Sequence, residues 1–99
     1  MKSSFSKIID SETPVLVDFY ADWCGPCKML VPILKQVKDE MGESVKIVKI
    51  DVDKNQSLAA KYQVRGVPTM LLFKNGKQLW RQSGVVQKDA IVQIVKSHS

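Results

Sequence analysis

Val15-Leu16-Val17-Asp18-Phe19-Tyr20-Ala21-Asp22-Trp23-Cys24-Gly25-Pro26-Cys27-Lys28 divides into two halves of opposite character. Val15 to Ala21 is an apolar run rich in β-branched and aromatic residues, which predicts a buried strand. Past Trp23 the character changes. Pro26 suits the first turn of a helix, where its missing N–H removes no hydrogen bond. The helix it opens is the clearest element of the chain: Leu30, Ile33, Leu34, Val37 and Met41 fall on one face, and Gly42 stands as its C-terminal stop. Pro32 lies inside this helix and predicts a kink. A buried strand running into a helix puts Cys24 and Cys27 at the helix N-terminus.

Upstream, Phe5, Ile8 and Ile9 recur at helical spacing behind Ser3 and Ser4 as candidate caps, and Pro14 closes that short helix off. Downstream, Val45 to Val52 reads as a second strand and Ser57 to Tyr62 as a short helix. Thr69 to Phe73 and Gln78 to Gln82 flank Asn75-Gly76, the dipeptide of a tight hairpin. Ala90, Ile91, Ile94 and Val95 mark a last amphipathic helix. The alternation predicts an α/β fold in which a parallel strand pair with a helical crossover is joined by an antiparallel hairpin. There is no internal repeat, linker or low-complexity segment, so residues 1–99 read as one domain.

The chain is 44% hydrophobic and 25% charged, the balance of a soluble globular protein. Its net charge of +5 raises nucleic acid or an acidic membrane surface as partners. The basic residues never form a run, however, and the charge reads instead as solubility with mild steering of acidic partners. No stretch approaches the ~18 apolar residues of a membrane span. Met1 to Asp10 contains no apolar segment of the secretory kind. The expectation is a cytoplasmic monomer that binds neither membrane nor nucleic acid.

The cysteine pair carries the chemistry. Free N–H groups and the macrodipole at a helix N-terminus favour a thiolate, lowering the first cysteine's pKa and raising its reactivity. Two intervening residues let the thiols close a small disulfide ring. An exposed attacking thiolate with a second thiol to resolve the mixed disulfide is what thiol–disulfide exchange requires. Other readings are weaker. A zinc site needs about four ligands, whereas the chain has two cysteines and a single histidine, His98, at its C-terminal end. No metal is expected. A purely structural disulfide gains little from so short a loop. Asp18 interrupts the apolar run and is, on residues alone, either an outward-facing strand residue or a costly buried acid. Pro68 alone reads as an ordinary turn proline.

The run from Val15 to Lys28 closely resembles the signature of the thioredoxin family. Three further segments match in order: Lys49-Ile50-Asp51-Val52-Asp53, Val64-Arg65-Gly66-Val67-Pro68-Thr69, and Phe73-Lys74-Asn75-Gly76 followed by Gly84. The resemblance implies the thioredoxin fold, a central mixed sheet of about four strands flanked by helices. It implies Cys24 as nucleophile, Cys27 as resolving thiol, and Asp18 as a buried acid that moves a proton to or from Cys27. It makes Lys49 a candidate modulator of Asp18, set against a plain solvated strand lysine. Trp23, Gly25 and Pro26 would line the client surface. Val67 would pair its backbone with a client segment, Pro68 would be cis against the cysteines, and Gly84 would admit a close client backbone. Two departures stand out. Tyr20 occupies a position where many members have Trp. Only Met1 to Ser3 precede the first helix, so the usual first strand is expected to be missing or a fragment. Val45 to Val52 would then form a sheet edge, guarded by Lys46 and Lys49.

The implied function is a protein-disulfide reductase acting on disulfide-containing client proteins and re-reduced by a thioredoxin reductase. The chain carries no Gly-rich dinucleotide fingerprint and needs no cofactor of its own, so its electrons come from that partner. Two alternatives remain: a disulfide oxidase or isomerase, against which Gly25-Pro26 speaks, and a non-catalytic interaction module using the same surface.

Overall fold

The computed structural model describes Ser4 to Ser99. The expectation about a strand formed by Met1 to Ser3 lies outside the described residues. The elements in chain order are α1 (Ser4–Ile9), β1 (Val15–Tyr20), α2 (Gly25–Met41) followed by a short 3-10 turn, β2 (Lys46–Asp51), α3 (Gln56–Lys61), β3 (Thr69–Lys74), β4 (Lys77–Ser83) and α4 (Lys88–Ser97). Among the described residues the four strands form one mixed sheet in the order β2-β1-β3-β4. β1 runs parallel to β2 through the α2 crossover and antiparallel to β3. Among the described residues β2 is therefore an edge, and its Lys46 and Lys49 are exposed.

Both faces of the sheet are covered, which is why β1 reads as an apolar run broken only by Asp18. On one face Leu16, Met70 and Leu72 pack under Leu30, Leu34 and Val37 of α2 and Ile91, Val92 and Val95 of α4. On the other, Val15, Val17, Phe19, Leu71 and Phe73 meet Phe5 and Ile9 of α1. Phe5, Tyr62 and Phe73 close that side with ring centroids 5.4 to 5.8 Å apart, two of the pairs edge to face.

Several local expectations are corrected. Ser4 lies inside α1 and does not cap it. Ile8 is 42% exposed, because so short a helix turns only Phe5 and Ile9 toward the sheet. In α4 it is Val92 that is buried with Ile91 and Val95, while Ala90 faces out. The expected extent of α2 holds: the helix contains Pro32, runs to Met41 and stops at Gly42, whose positive φ of 55° suits a glycine.

Candidate active site

β1 delivers the chain to the cysteines. After Tyr20 one turn brings Cys24 to the N-cap of α2, with Pro26 in the first helical turn. Cys24 Sγ accepts the Cys27 backbone N–H at 3.1 Å. A sulfur thus stands where a capping oxygen usually does, receiving one of the helix's orphan donors. Cys24 and Cys27 form a disulfide with Cα atoms 5.3 Å apart. Ala21 is buried with them, and Tyr20, Val52 and Val67 pack around the group.

The expected exposed first thiol is not found. Cys24 is 4% exposed and Cys27 3%, so burial does not rank the two residues. Tyr20, Val52 and Val67 pack over the pair, and Cys24 Sγ lies 3.7 Å from the Val67 carbonyl oxygen. In the disulfide that contact has no proton to share; as a thiol, Cys24 can donate across it. The rim is open: Gly25 and Pro26 are exposed, and Trp23 is 72% exposed. The Trp23 indole N–H donates to Asp53 Oδ2 at 2.9 Å, which fixes the direction of the ring.

The loop before β3 forms the opposite wall. The Val67–Pro68 peptide is cis, and Pro68 is buried. Thr69 Oγ1 donates to or accepts from Ser83 Oγ at 2.9 Å and lies 2.7 Å from the Gly66 carbonyl, to which it can donate. Gly84 donates its N–H to the Pro68 carbonyl at 2.8 Å and has φ of 91°, with open space where a Cβ would project. Arg81 of β4 forks onto the carbonyls of Tyr62 and Gln63, closing the end of α3 from which this loop departs. Sequence reasoning missed Arg81. It lies 18 and 19 residues from its two partners, in a strand with no motif of its own, so no local signal marks it.

Behind the cysteines Asp18 is fully buried, which settles its two readings in favour of the buried acid. Neither carboxyl oxygen has a hydrogen-bond partner. Burial pushes its pKa up from 3.8 to about 6, and the positive charge of Lys49 works against that rise. Lys49 stands opposite Asp18 in the β1–β2 register. A cleft of about 160 Å³ is lined by Lys49 with Tyr20, Ala21, Asp22, Cys27, Lys28 and Val31, and Asp18 lies beneath the surface rather than in its lining. A larger depression along α3 has Arg65 as its only charged lining residue and does not reach the cysteines. Among the described residues no group of three or more His, Cys, Asp or Glu is placed to hold a metal ion, and no helix is long and apolar enough to cross a membrane.

Comparison with known proteins agrees with this geometry. The family model described as Thioredoxin matches residues 1–97. The chain is 46% identical over 96 residues to thioredoxin Y, chloroplastic, of Oryza sativa, covering 96% of this chain and 57% of that protein. It is 49% identical over 88 residues to a thioredoxin of Bacillus subtilis, covering 89% of this chain and 85% of that one. Among solved structures, a mutant thioredoxin from Halobacterium salinarum superimposes with a TM-score of 0.87 at 40% identity, covering 98% of this chain and 84% of that chain.

Proposed function

This chain belongs to the thioredoxin family, and from that premise we propose how its residues divide the work of a protein-disulfide reductase. The observation that carries the reading is the Cys24–Cys27 disulfide at the start of α2, with Cys24 Sγ receiving the Cys27 N–H. That donor and the helix N-terminus both favour negative charge on Cys24 sulfur once the bond is reduced.

The Cys24 thiolate attacks one sulfur of a client disulfide, and the client's other sulfur leaves as a thiolate and takes up a proton. Cys27 then gives its proton to the Asp18 carboxylate, directly or through water in the adjoining cleft. The Cys27 thiolate attacks Cys24 Sγ and expels the second client thiolate. Two electrons pass to the client, and this chain is left with the Cys24–Cys27 disulfide. A pKa near 6 suits the task, since Asp18 is then mostly a carboxylate at neutral pH and still basic enough to accept a proton. Trp23, Gly25, Pro26 and Val67 line the contact surface, with Val67 offering its backbone to an extended client segment. Pro68 forms the wall behind, and Gly84 leaves room for the client backbone.

Electrons return from a thioredoxin reductase. A carrier that must be kept as a dithiol belongs in a reducing compartment, and the cytoplasm is our reading. We read residues 1–99 as one domain acting as a monomer; the family match over 1–97 and the lysines on the β2 edge support this. The test is trapping. Cys27→Ser should accumulate mixed disulfides with insulin chains, and Cys24→Ser almost none. Equal trapping by both variants overturns the division of roles.

A further inference from the structure

Three side chains meet on the α2 side of the sheet. Asp18 and Lys49 are direct neighbours across β1 and β2. Tyr20 lies two residues beyond Asp18 on β1 and so projects from the same face. The Lys49 ammonium sits 4.9 Å from the centre of the Tyr20 ring, within cation–π reach. Among the described residues no hydrogen bond or ion pair holds that ammonium; the ring does. An exposed lysine on an edge strand would otherwise spread over many rotamers in water. Tyr20 also packs against the cysteine group, and it lines the cleft together with Cys27 and Lys49.

We infer that Tyr20 is a positioning residue for the exchange reaction: its ring face keeps the Lys49 ammonium beside the Asp18 carboxyl, at the cleft that reaches Cys27. The inference rests on reading Asp18 as the proton acceptor. Both Asp18 oxygens lack a partner, so their hold on a proton is set by burial and by nearby charge, with no hydrogen bond to share in it. The charged or titratable groups around that face come from β2, α2 and the turn after β1. β2 supplies Lys49 and Asp51, whose Oδ1 already accepts the N–H groups of Asp53 and Lys54. α2 supplies Cys27 and Lys28 and, along a second depression that Lys49 also lines, Lys35, Lys38 and Asp39; the turn after β1 supplies Asp22. β3 places Met70 opposite Asp18, and α4 presents Ile91, Val92 and Val95. Lys49 is the charge that opposes the effect of burial. Freed from the ring, it moves into solvent and Asp18 keeps its proton to higher pH.

The experiment follows the Asp18 side-chain carboxyl by NMR through a pH titration of the oxidised protein. Tyr20→Phe retains the ring face and should titrate as the parent does. Tyr20→Leu should move the midpoint up by about half a pH unit. Lys49→Met should move it at least as far, and adding Tyr20→Leu to Lys49→Met should move it no further. Tyr20→pentafluorophenylalanine keeps the ring's bulk but reverses its quadrupole, and should behave as Tyr20→Leu. An unmoved midpoint in Tyr20→Leu, or an equal rise when Lys49 is already gone, overturns the inference, because repacking alone would act without Lys49. If Tyr20→Leu does not fold, a pentafluorophenylalanine variant that titrates as the parent overturns it. Insulin reduction by Asp18→Asn is read separately. Wild-type rates there would end the proton-acceptor reading, while the titration would still judge what Tyr20 does to Asp18.

Discussion

A buried carboxyl with both oxygens unbonded is costly to keep in a central strand. Folding raises the Asp18 pKa from 3.8 to about 6. Below 3.8 both folded and unfolded states hold the proton and there is no penalty. Between the two values the folded state binds more protons than the unfolded one, so stability falls as pH rises. Above about 6 the loss is constant, on the order of 3 kcal/mol. Asp18→Asn should therefore raise the melting temperature at pH 7 by roughly 5–10 °C, since an unpaired buried amide takes back part of the gain. At pH 4, where Asp18 costs the folded state only about half a kcal/mol, the gain should be absent or slightly reversed by the unpaired amide. The same variant should slow the step in which Cys27 loses its proton. Calorimetry at both pH values and stopped-flow exchange check this; added stability at pH 7 with undiminished exchange would leave Asp18 buried but idle. The identity of Asp18 is plain in the sequence. Its burial is not, because a strand with one open face would carry the same residue outward.

Among the elements, the β3–β4 hairpin is the most legible in the sequence. Asn75 and Gly76 have φ of 52° and 80°, the paired left-handed residues of the two-residue turn that Asn-Gly signals. Lys74 and Lys77 pair directly across it. An alanine Cβ at Gly76 would find its nearest neighbour, Asp10 Oδ1, at an ordinary 3.9 Å, so the cost of Gly76→Ala is backbone strain alone, about 1 kcal/mol. Urea unfolding should show the midpoint lowered by roughly 0.5 M with an unchanged slope. A changed slope would mean that the hairpin had come apart. α2 is equally legible from its apolar stripe, its proline start and its glycine stop. α1 is less so, since six residues make too few turns for periodicity to separate Ile8 from its buried neighbours.

Across the whole molecule, the sheet separates two apolar clusters that share no buried side chain. Ile9 of α1 belongs to one and Ile91 of α4 to the other. Ile9→Val and Ile91→Val should each cost about 1 kcal/mol, and the double variant their sum to within about 0.5 kcal/mol. Coupling well beyond that in a double-mutant cycle would show that the faces are not independent. The order of the elements, the strand–helix junction that sets Cys24 and Cys27 at a helix start, and the asparagine–glycine turn were determined by sequence alone. Each depends on residues within a few positions of one another, and local backbone preferences act at that range. Tertiary structure alone decided the rest. Asp18 became buried because α2 and α4 cover its face, and Lys49 came to stand over Tyr20 because β2 pairs with β1 in one register. Arg81 reached the end of α3, and Cys24 came to be buried as deeply as Cys27. Those outcomes join residues that lie far apart in the chain or depend on which face is covered, and no periodicity in the chain encodes which of them will meet.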